Sequence, residues 1–360
     1  MKSVGTVNYC CKAQHRHWMT LSVAMAFGWQ ILSTAQSPSP VVAPTFSGVS
    51  YGSEPNQFVD FYQASSTAIT PVIVYIHGGG WSGGSASGIV RTDVFGKNNR
   101  NGEGVRKVLA SGVSIVSVEY RLLTTAHKSG IKPPVKWPLS DAARAIQFIR
   151  SKADEWKIDK ERIGLTGSSA GGCSSLWLAM HDDLADLKSG DPIERESSRP
   201  SFVGIQNAQS SLDPEQLQHW FKSPRYGAHA FGFFKLEGKR EISDMAACLA
   251  ERERILPWIK EYSPIEHASK DDPELFLNYS AAPQGAGQPQ IDSVHGAMHG
   301  IKLKEKLDLV GGRVTVTYPG MPGWSFDGHI NFLLTRLKQT GSDRDAARPV
   351  VQEKDSFKNP

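Results

Sequence analysis

Two adjacent serines lie in the run IGLTGSSAGG, residues 163–172. A serine becomes a nucleophile when a sharp strand-to-helix turn exposes its Oγ, and flanking glycines let the neighbouring strand and helix close on that turn. The G-x-S-x-G frame selects Ser169, which has Gly167 and Gly171 on either side. Centring on Ser168 would need a glycine at Thr166, and centring on Thr166 would need one at Ser168. Ordinary Gly/Ser turns also show this five-residue pattern. Here it falls between RIGLT, which reads as a strand, and AGGCSSLWLAM, which reads as a helix whose first N–H groups would point at any anion formed there.

A second glycine motif, HGGGW (His77–Trp81), ends the apolar run VIVYI. Converging backbone N–H groups of this kind stabilise the oxyanion of a tetrahedral acyl intermediate. Gly78 and Gly79 are the expected donors, with the N–H of Ala170 as a third. His77 is expected to brace the loop, and Trp81 to wall the substrate site.

The elements that must position these groups follow from periodicity. NQFVDFYQ alternates like an edge strand, and Val72–Ile76 is a nearly continuous apolar run, as in a strand buried on both faces. GEGVRKVLASG reads as a helix, VSIVSVEYRL as a buried strand, and SDAARAIQFIRSKADEW as a helix with Ser140 as N-cap. FVGIQNA, PELFLNYS and RVTVTYP read as strands; HGIKLKEKLDLVGG and INFLLTRLKQT read as helices. Residues 212–262 break the alternation and are expected to be a helical, cap-like insertion. Its aromatic residues could form its own small core or stack on substrate. Strand–helix alternation predicts an α/β domain with a mostly parallel sheet and its functional groups at the carboxyl ends of the strands.

VDFYQ, VIVYIHGGGWSGGS, VSIVSVEYRL, WPLSDAARAIQFIRSKADEWKIDKERIGLTGSSAGG and GHINFL resemble segments of the α/β-hydrolase superfamily. The resemblance is to its hormone-sensitive-lipase-like and acetyl/feruloyl-xylan-esterase-like branch, and covers roughly residues 50–340. It implies the α/β-hydrolase fold, a Ser-acid-His triad in chain order, an ester substrate, and no metal or organic cofactor.

Chain order places the acid after the next-to-last strand and the base after the last. His329 in FDGHINFLL is therefore the expected base, and Asp292 in QPQIDSVHGAMHG the expected acid. The run AAPQGAGQPQ before Asp292 is longer than the family usually carries, and Asp327 stands as an alternative, two residues from His329. His295 and His299, at i and i+4, are read as solvated or capping groups; no HExxH glutamate or third ligand accompanies them, so no metal is expected.

The formal net charge is +4 over 360 residues, and Lys2, Lys12 and Arg16 supply three of those charges in an N-terminal stretch without acids. The remaining chain carries about +1, so no nucleic-acid partner is expected. Basic residues, the apolar run WMTLSVAMAFGWQIL and small Ser33 and Ala35 before Gln36 predict a signal peptide over 1–35, with Met19 as an alternative start. A linker (36–47), the hydrolase domain (48–340, with the insertion 212–262) and a mobile tail (341–360) follow, with no membrane span in the mature chain. Cys173 and Cys248 could be disulfide-linked or two buried thiols.

The sequence thus predicts a secreted or periplasmic serine carboxylesterase acting on short-chain acyl esters, with acetyl or feruloyl groups on carbohydrate as the expected class. The alternatives are a prolyl-oligopeptidase-type peptidase, which would need room for a propeller domain, and a catalytically silent binding protein, which would not need all three motifs.

Overall fold

A computed structural model describes residues 40–339 apart from 98, 238–239, 286–289 and 291. The expected signal segment and the tail lie outside the described residues. In chain order, β1 (Phe46–Ser50), β2 (Phe58–Tyr62), β3 (Thr70–Ile76), α1 (Glu103–Ala110), β4 (Ser114–Val118), α2 (Leu123–Lys128), α3 (Lys136–Ser151), α4 (Ala153–Trp156), β5 (Ile158–Gly167) and α5 (Ala170–Met180) form the first half. β6 (Phe202–Gln206) leads into α6 (Pro214–Trp220), the antiparallel hairpin β7 (Phe234–Glu237) and β8 (Arg240–Ser243), α7 (Met245–Ala250) and α8 (Arg252–Tyr262). The chain returns through β9 (Glu274–Asn278), α9 (Met298–Val310), β10 (Val314–Thr317) and α10 (Gly328–Lys338).

Eight strands make one sheet in the order β1-β2-β4-β3-β5-β6-β9-β10. β1–β2 and β2–β4 pair antiparallel, and every other pair is parallel. With helices over both faces, this is the α/β-hydrolase fold. The alternation of side chains along a strand assigns the two cores. Val72, Val74 and Ile76 of β3 face α3 and α5, whereas Ile73 and Tyr75 face α1 and α10, through Val105, Val108, Leu333 and Leu337. All seven β3 residues are buried, as are all eleven of α5.

Three details differ from expectation. β1 begins at Phe46, within the stretch read as linker. The 212–262 segment contains the β7–β8 hairpin as well as helices. α3 starts at Lys136, so Ser140 lies inside it, and Pro138 falls in the first turn, where its missing N–H costs little. Cys173 and Cys248 are free thiols, both buried, and burial raises the pKa of each.

The β3–β5 register pairs Ile76 with Gly167. The carbonyl of Ile76 therefore sits against the start of α5. A Cβ on Gly171 would lie 2.0 Å from that oxygen, and one on Gly167 2.6 Å from it. Both clashes are with backbone, which cannot rotate away. Gly171→Ala is expected to destabilise the fold by about 3 kcal/mol or more, read as a lower urea midpoint; an unchanged midpoint would show that strand and helix can separate freely.

Four histidines, His77, His229, His299 and His329, are buried, and burial pushes the pKa of each down to about 4. The unfolded chain protonates them near 6.5, so between pH 6.5 and 4 it binds more protons than the folded chain, and stability falls as pH falls. Asp272 works in the opposite sense, since burial raises its pKa to about 6. The histidines dominate by number, so the urea midpoint should drop steeply from pH 6.5 toward 4.5. His329→Gln, which cannot take up a proton, should flatten that slope; a pH-independent midpoint would contradict the burial of these rings.

Candidate active site

Ser169 occupies the turn between β5 and α5 with φ 55° and ψ −127°. A non-glycine residue held there stores roughly 1–3 kcal/mol. The surroundings impose it: the Ser169 N–H donates to the Gln206 carbonyl at the end of β6 (3.2 Å), and its own carbonyl accepts from the Cys173 N–H (2.9 Å). Ser168 and Gln206 form a parallel bridge beside it. The side chain is half-buried at the carboxyl edge of the sheet.

The ring that reaches this serine is His295. Its Nε2 lies 3.1 Å from Ser169 Oγ, and the residue is exposed. With the proton on Nδ1, Nε2 accepts the serine hydroxyl, the geometry a general base needs.

A tight turn after β9 carries His295. Asp292 Oδ1 accepts the N–H groups of Val294 (3.0 Å) and His295 (2.9 Å), the usual way an aspartate closes a turn. A Cβ on Gly296 would lie 2.3 Å from the Asp292 carbonyl oxygen, so only glycine completes the turn. Three other parts of the chain pin it. Gln209 Nε2 donates to the Val294 carbonyl, the Arg225 N–H donates to Ser293 Oγ (3.1 Å), and His299 Nε2 donates to the Ser293 carbonyl (3.2 Å). His299 is thus a buried brace rather than a solvated group.

His329, the expected base, is not brought to Ser169. It is wholly buried, and both ring nitrogens are engaged: Nε2 donates to the Val94 carbonyl (2.9 Å), and Asn278 Nδ2 approaches Nδ1 at 3.5 Å. This is a neutral tautomer with neither nitrogen available for a reacting hydroxyl. Nor is the expected Asp292–His329 pair formed, since Asp292 serves the His295 turn instead. Asp327, the alternative acid, stands at the N-terminus of α10, where its carbonyl accepts from Ile330 and Asn331.

The glycine loop after β3 lies against Ser169. A Cβ on Gly78 would sit 3.5 Å from Ser169 Cβ. Gly79 follows with φ +96°, and Ala170 opens α5, where first-turn N–H groups have no intrahelical acceptor. His77 braces this loop: Nδ1 donates to the Gly78 carbonyl (2.9 Å) and its ring stacks on Tyr120 at 4.1 Å. Tyr120 Oη in turn donates to the His77 carbonyl (2.8 Å).

Trp81, expected to wall the substrate site, has no exposed surface. Its Nε1 donates to Ser174 Oγ (2.9 Å), and its ring packs on Tyr226 and His229 of the inserted segment. It is a packing residue that fixes the glycine loop to α5. Tyr226 and Phe231 of the insertion are likewise core residues.

His295 did carry a signal in the sequence. It lies three residues after an aspartate, in the loop following the next-to-last strand. Chain order draws attention past it to the last loop. Among the described residues, no group of three His, Cys, Asp or Glu could hold a metal ion, and no helix is long and apolar enough to cross a membrane.

The sequence matches the BD-FAE family model over residues 59–284, more than half of the chain. It is 32% identical over 157 residues to Gut esterase 1 of Caenorhabditis elegans, covering 43% of this chain and 26% of that protein. It is 28% identical over 162 residues to Esterase LipC of Mycobacterium tuberculosis, covering 44% of this chain and 35% of that one. The chain thus spans about a third or less of the length of these curated relatives. Among solved structures, a truncated carbohydrate esterase from gut microbiota superposes with a TM-score of 0.59 at 19% identity, over 83% of this chain and 98% of that one. An acetyl ester-xyloside bifunctional hydrolase from Caldicellulosiruptor lactoaceticus gives 0.53 at 20% identity, over 82% and 93%. At such identities the superpositions speak to fold. The family match covers both glycine motifs and the candidate nucleophile, and the chain belongs to the BD-FAE family.

Proposed function

We propose that this chain is a serine carboxylesterase that cleaves short-chain acyl esters, with acetyl or feruloyl groups on carbohydrate as the substrate class. The observation that carries the reading is the 3.1 Å approach of His295 Nε2 to Ser169 Oγ at a strained strand-to-helix turn. The esterases among its relatives, and the carbohydrate esterases among structures of the same fold, support the substrate class. The basic and apolar N-terminal stretch supports export to a secreted or periplasmic setting.

In this reading Ser169 Oγ attacks the ester carbonyl carbon while its proton passes to His295 Nε2. The carbonyl π electrons move onto oxygen, and the N–H groups of Gly78, Gly79 and Ala170 receive the oxyanion. Collapse of the intermediate expels the alcohol, which takes the proton back from His295. Water, deprotonated by the same nitrogen, then attacks the acyl-Ser169 ester and releases the acid. Asp292 sets the backbone of His295 by accepting the N–H groups of Val294 and His295 on one carboxylate oxygen. This assigns His295, rather than His329, as base, and gives Asp292 a role through the turn rather than through His329.

Ser169→Ala should abolish p-nitrophenyl acetate hydrolysis in a folded protein, and Ser168→Ala should leave much of the rate. A Ser169→Ala enzyme of near-normal rate would overturn the nucleophile.

The two histidines separate cleanly. His295 is exposed, so His295→Ala should leave the urea midpoint nearly unchanged while kcat falls by about 10²- to 10⁴-fold. His329→Ala opens a buried site and should cost about 2–4 kcal/mol of stability, with far less loss of kcat per folded molecule. The reverse pattern would return the base to His329.

A further inference from the structure

Beside the His295 turn lies a pocket of about 300 Å³, lined by Lys222, Ser223, Arg225, Asp292, Ser293 and Val294. Its two walls are latched together. The Lys222 N–H donates to the Gln290 carbonyl (3.0 Å), and the Arg225 N–H donates to Ser293 Oγ (3.1 Å). Three of its lining residues, 292–294, immediately precede His295, whose Nε2 touches the nucleophile. A group seated in this pocket is therefore held against the same turn that carries the candidate base.

The charges in the pocket point to its occupant. Among the described residues, neither Lys222 nor Arg225 is ion-paired, although the chain has many ion pairs elsewhere. Asp292 also lines the pocket, its Oδ1 held by two backbone N–H groups, and sets one carboxylate against the two basic residues. The balance is cationic, in a chain whose described part is close to neutral. The volume is at the small end of ligand sites and suits one ring-sized group. Ser223, Ser293 and Val294 complete the lining.

We infer that this pocket is a subsite for a carboxylate-bearing, ring-sized group next to the scissile ester, with Lys222 and Arg225 as the residues that recognise the negative charge, so that the esters of acidic sugars are preferred. The inference rests on the esterase reading for its catalytic arm and stands without it for its binding arm. A cationic recess beside a reacting centre raises the local concentration of an anionic substrate, and salt weakens that effect.

Two matched substrate pairs test this. On the alcohol side, acetylated methyl glucuronide is compared with acetylated methyl glucoside. On the acyl side, the p-nitrophenyl half-ester of glutaric acid is compared with p-nitrophenyl valerate. The expected result is a kcat/KM for the acetylated glucuronide about tenfold or more above that for its neutral partner, falling as salt is raised to about 0.5 M. Lys222→Ala/Arg225→Ala should erase that ratio while leaving the neutral substrates and the urea midpoint unchanged. A preference seen only for the glutarate half-ester would overturn the acidic-sugar assignment and move the anion to the acyl side. Equal losses on charged and neutral substrates, or a ratio that survives in the folded double variant, would overturn the subsite. Binding of methyl glucuronide and methyl glucoside to Ser169→Ala, measured by calorimetry with and without the double substitution, needs no turnover. Equal binding of the two sugars overturns the subsite, whereas glucuronide preference in Ser169→Ala together with a wild-type chain that hydrolyses none of the four esters would overturn the esterase reading alone.

Discussion

The close approach of one carbonyl to two glycines sets the geometry of the whole active edge. The oxygen of Ile76, at the end of β3, lies where a Cβ on Gly167 or Gly171 would be. Because nothing but hydrogen occupies those positions, β5 can end and α5 can begin directly beside β3. Two consequences follow. The chain between them is forced through a turn so short that Ser169 must take a positive φ, which exposes its Oγ. The glycine loop leaving β3 is also brought against the serine, so that a Cβ on Gly78 would lie 3.5 Å from the Ser169 Cβ. The candidate nucleophile and the glycine loop are thus placed by strand register, before any side chain is chosen.

The base is a different kind of problem. No register fixes a long loop, so the ring that meets the serine must be held by contacts made after the sheet has formed. After β10 the chain has little freedom. His329 lies in the first turn of α10, and a Cβ on Gly204 of β6 would be 2.5 Å from its carbonyl oxygen. A residue pressed this closely onto the sheet is buried, and a buried imidazole must satisfy both nitrogens. Val94 and Asn278 do so, and the ring becomes part of the packing. The loop after β9 has the opposite character. It is long, and its turn, where Asp292 and His295 are exposed, can present His295 outward because Asp292, Gln209, Ser293 and His299 hold the backbone behind it.

This contrast explains what was legible in the sequence. β2 to β6, β9 and β10, and α1, α3, α5, α9 and α10, announce themselves through apolar period and glycine punctuation, which are local properties; α2 (Leu123–Lys128) lies in a stretch that reads as loop. Gly78, Gly167, Ser169 and Gly171 are legible for the same reason, since steric need at a turn leaves a compositional mark. His329 and Asp292 were placed by chain order, which records where a base can be attached and says nothing of which ring is buried. Trp81 looked like a wall because it adjoins the glycine loop. Its burial depends on Ser174, Tyr226 and His229, which lie 93, 145 and 148 positions along the chain. The β7–β8 hairpin was hidden by the aromatic residues around it, which suit helix and strand equally.

The inserted segment is tied to the catalytic edge at two separate points. Tyr226 and His229 pack on Trp81 and so bear on the glycine loop, while the Arg225 N–H holds Ser293 and so bears on the turn of His295. These residues span only five positions, so a small displacement there is felt by the glycine loop and by the His295 turn together. A rigid link of this kind has a cost in adaptability. A loop that only covered a site could vary freely in sequence, but one that sets the distance between donors and base cannot move without spoiling both. Under the proposed esterase reading, selectivity for the group beside the ester and the rate of its cleavage are therefore expected to change together when residues 222–229 are altered. The Lys222 and Arg225 side chains are the exception, because the links of both residues run through their backbone N–H groups, which side-chain truncation leaves in place.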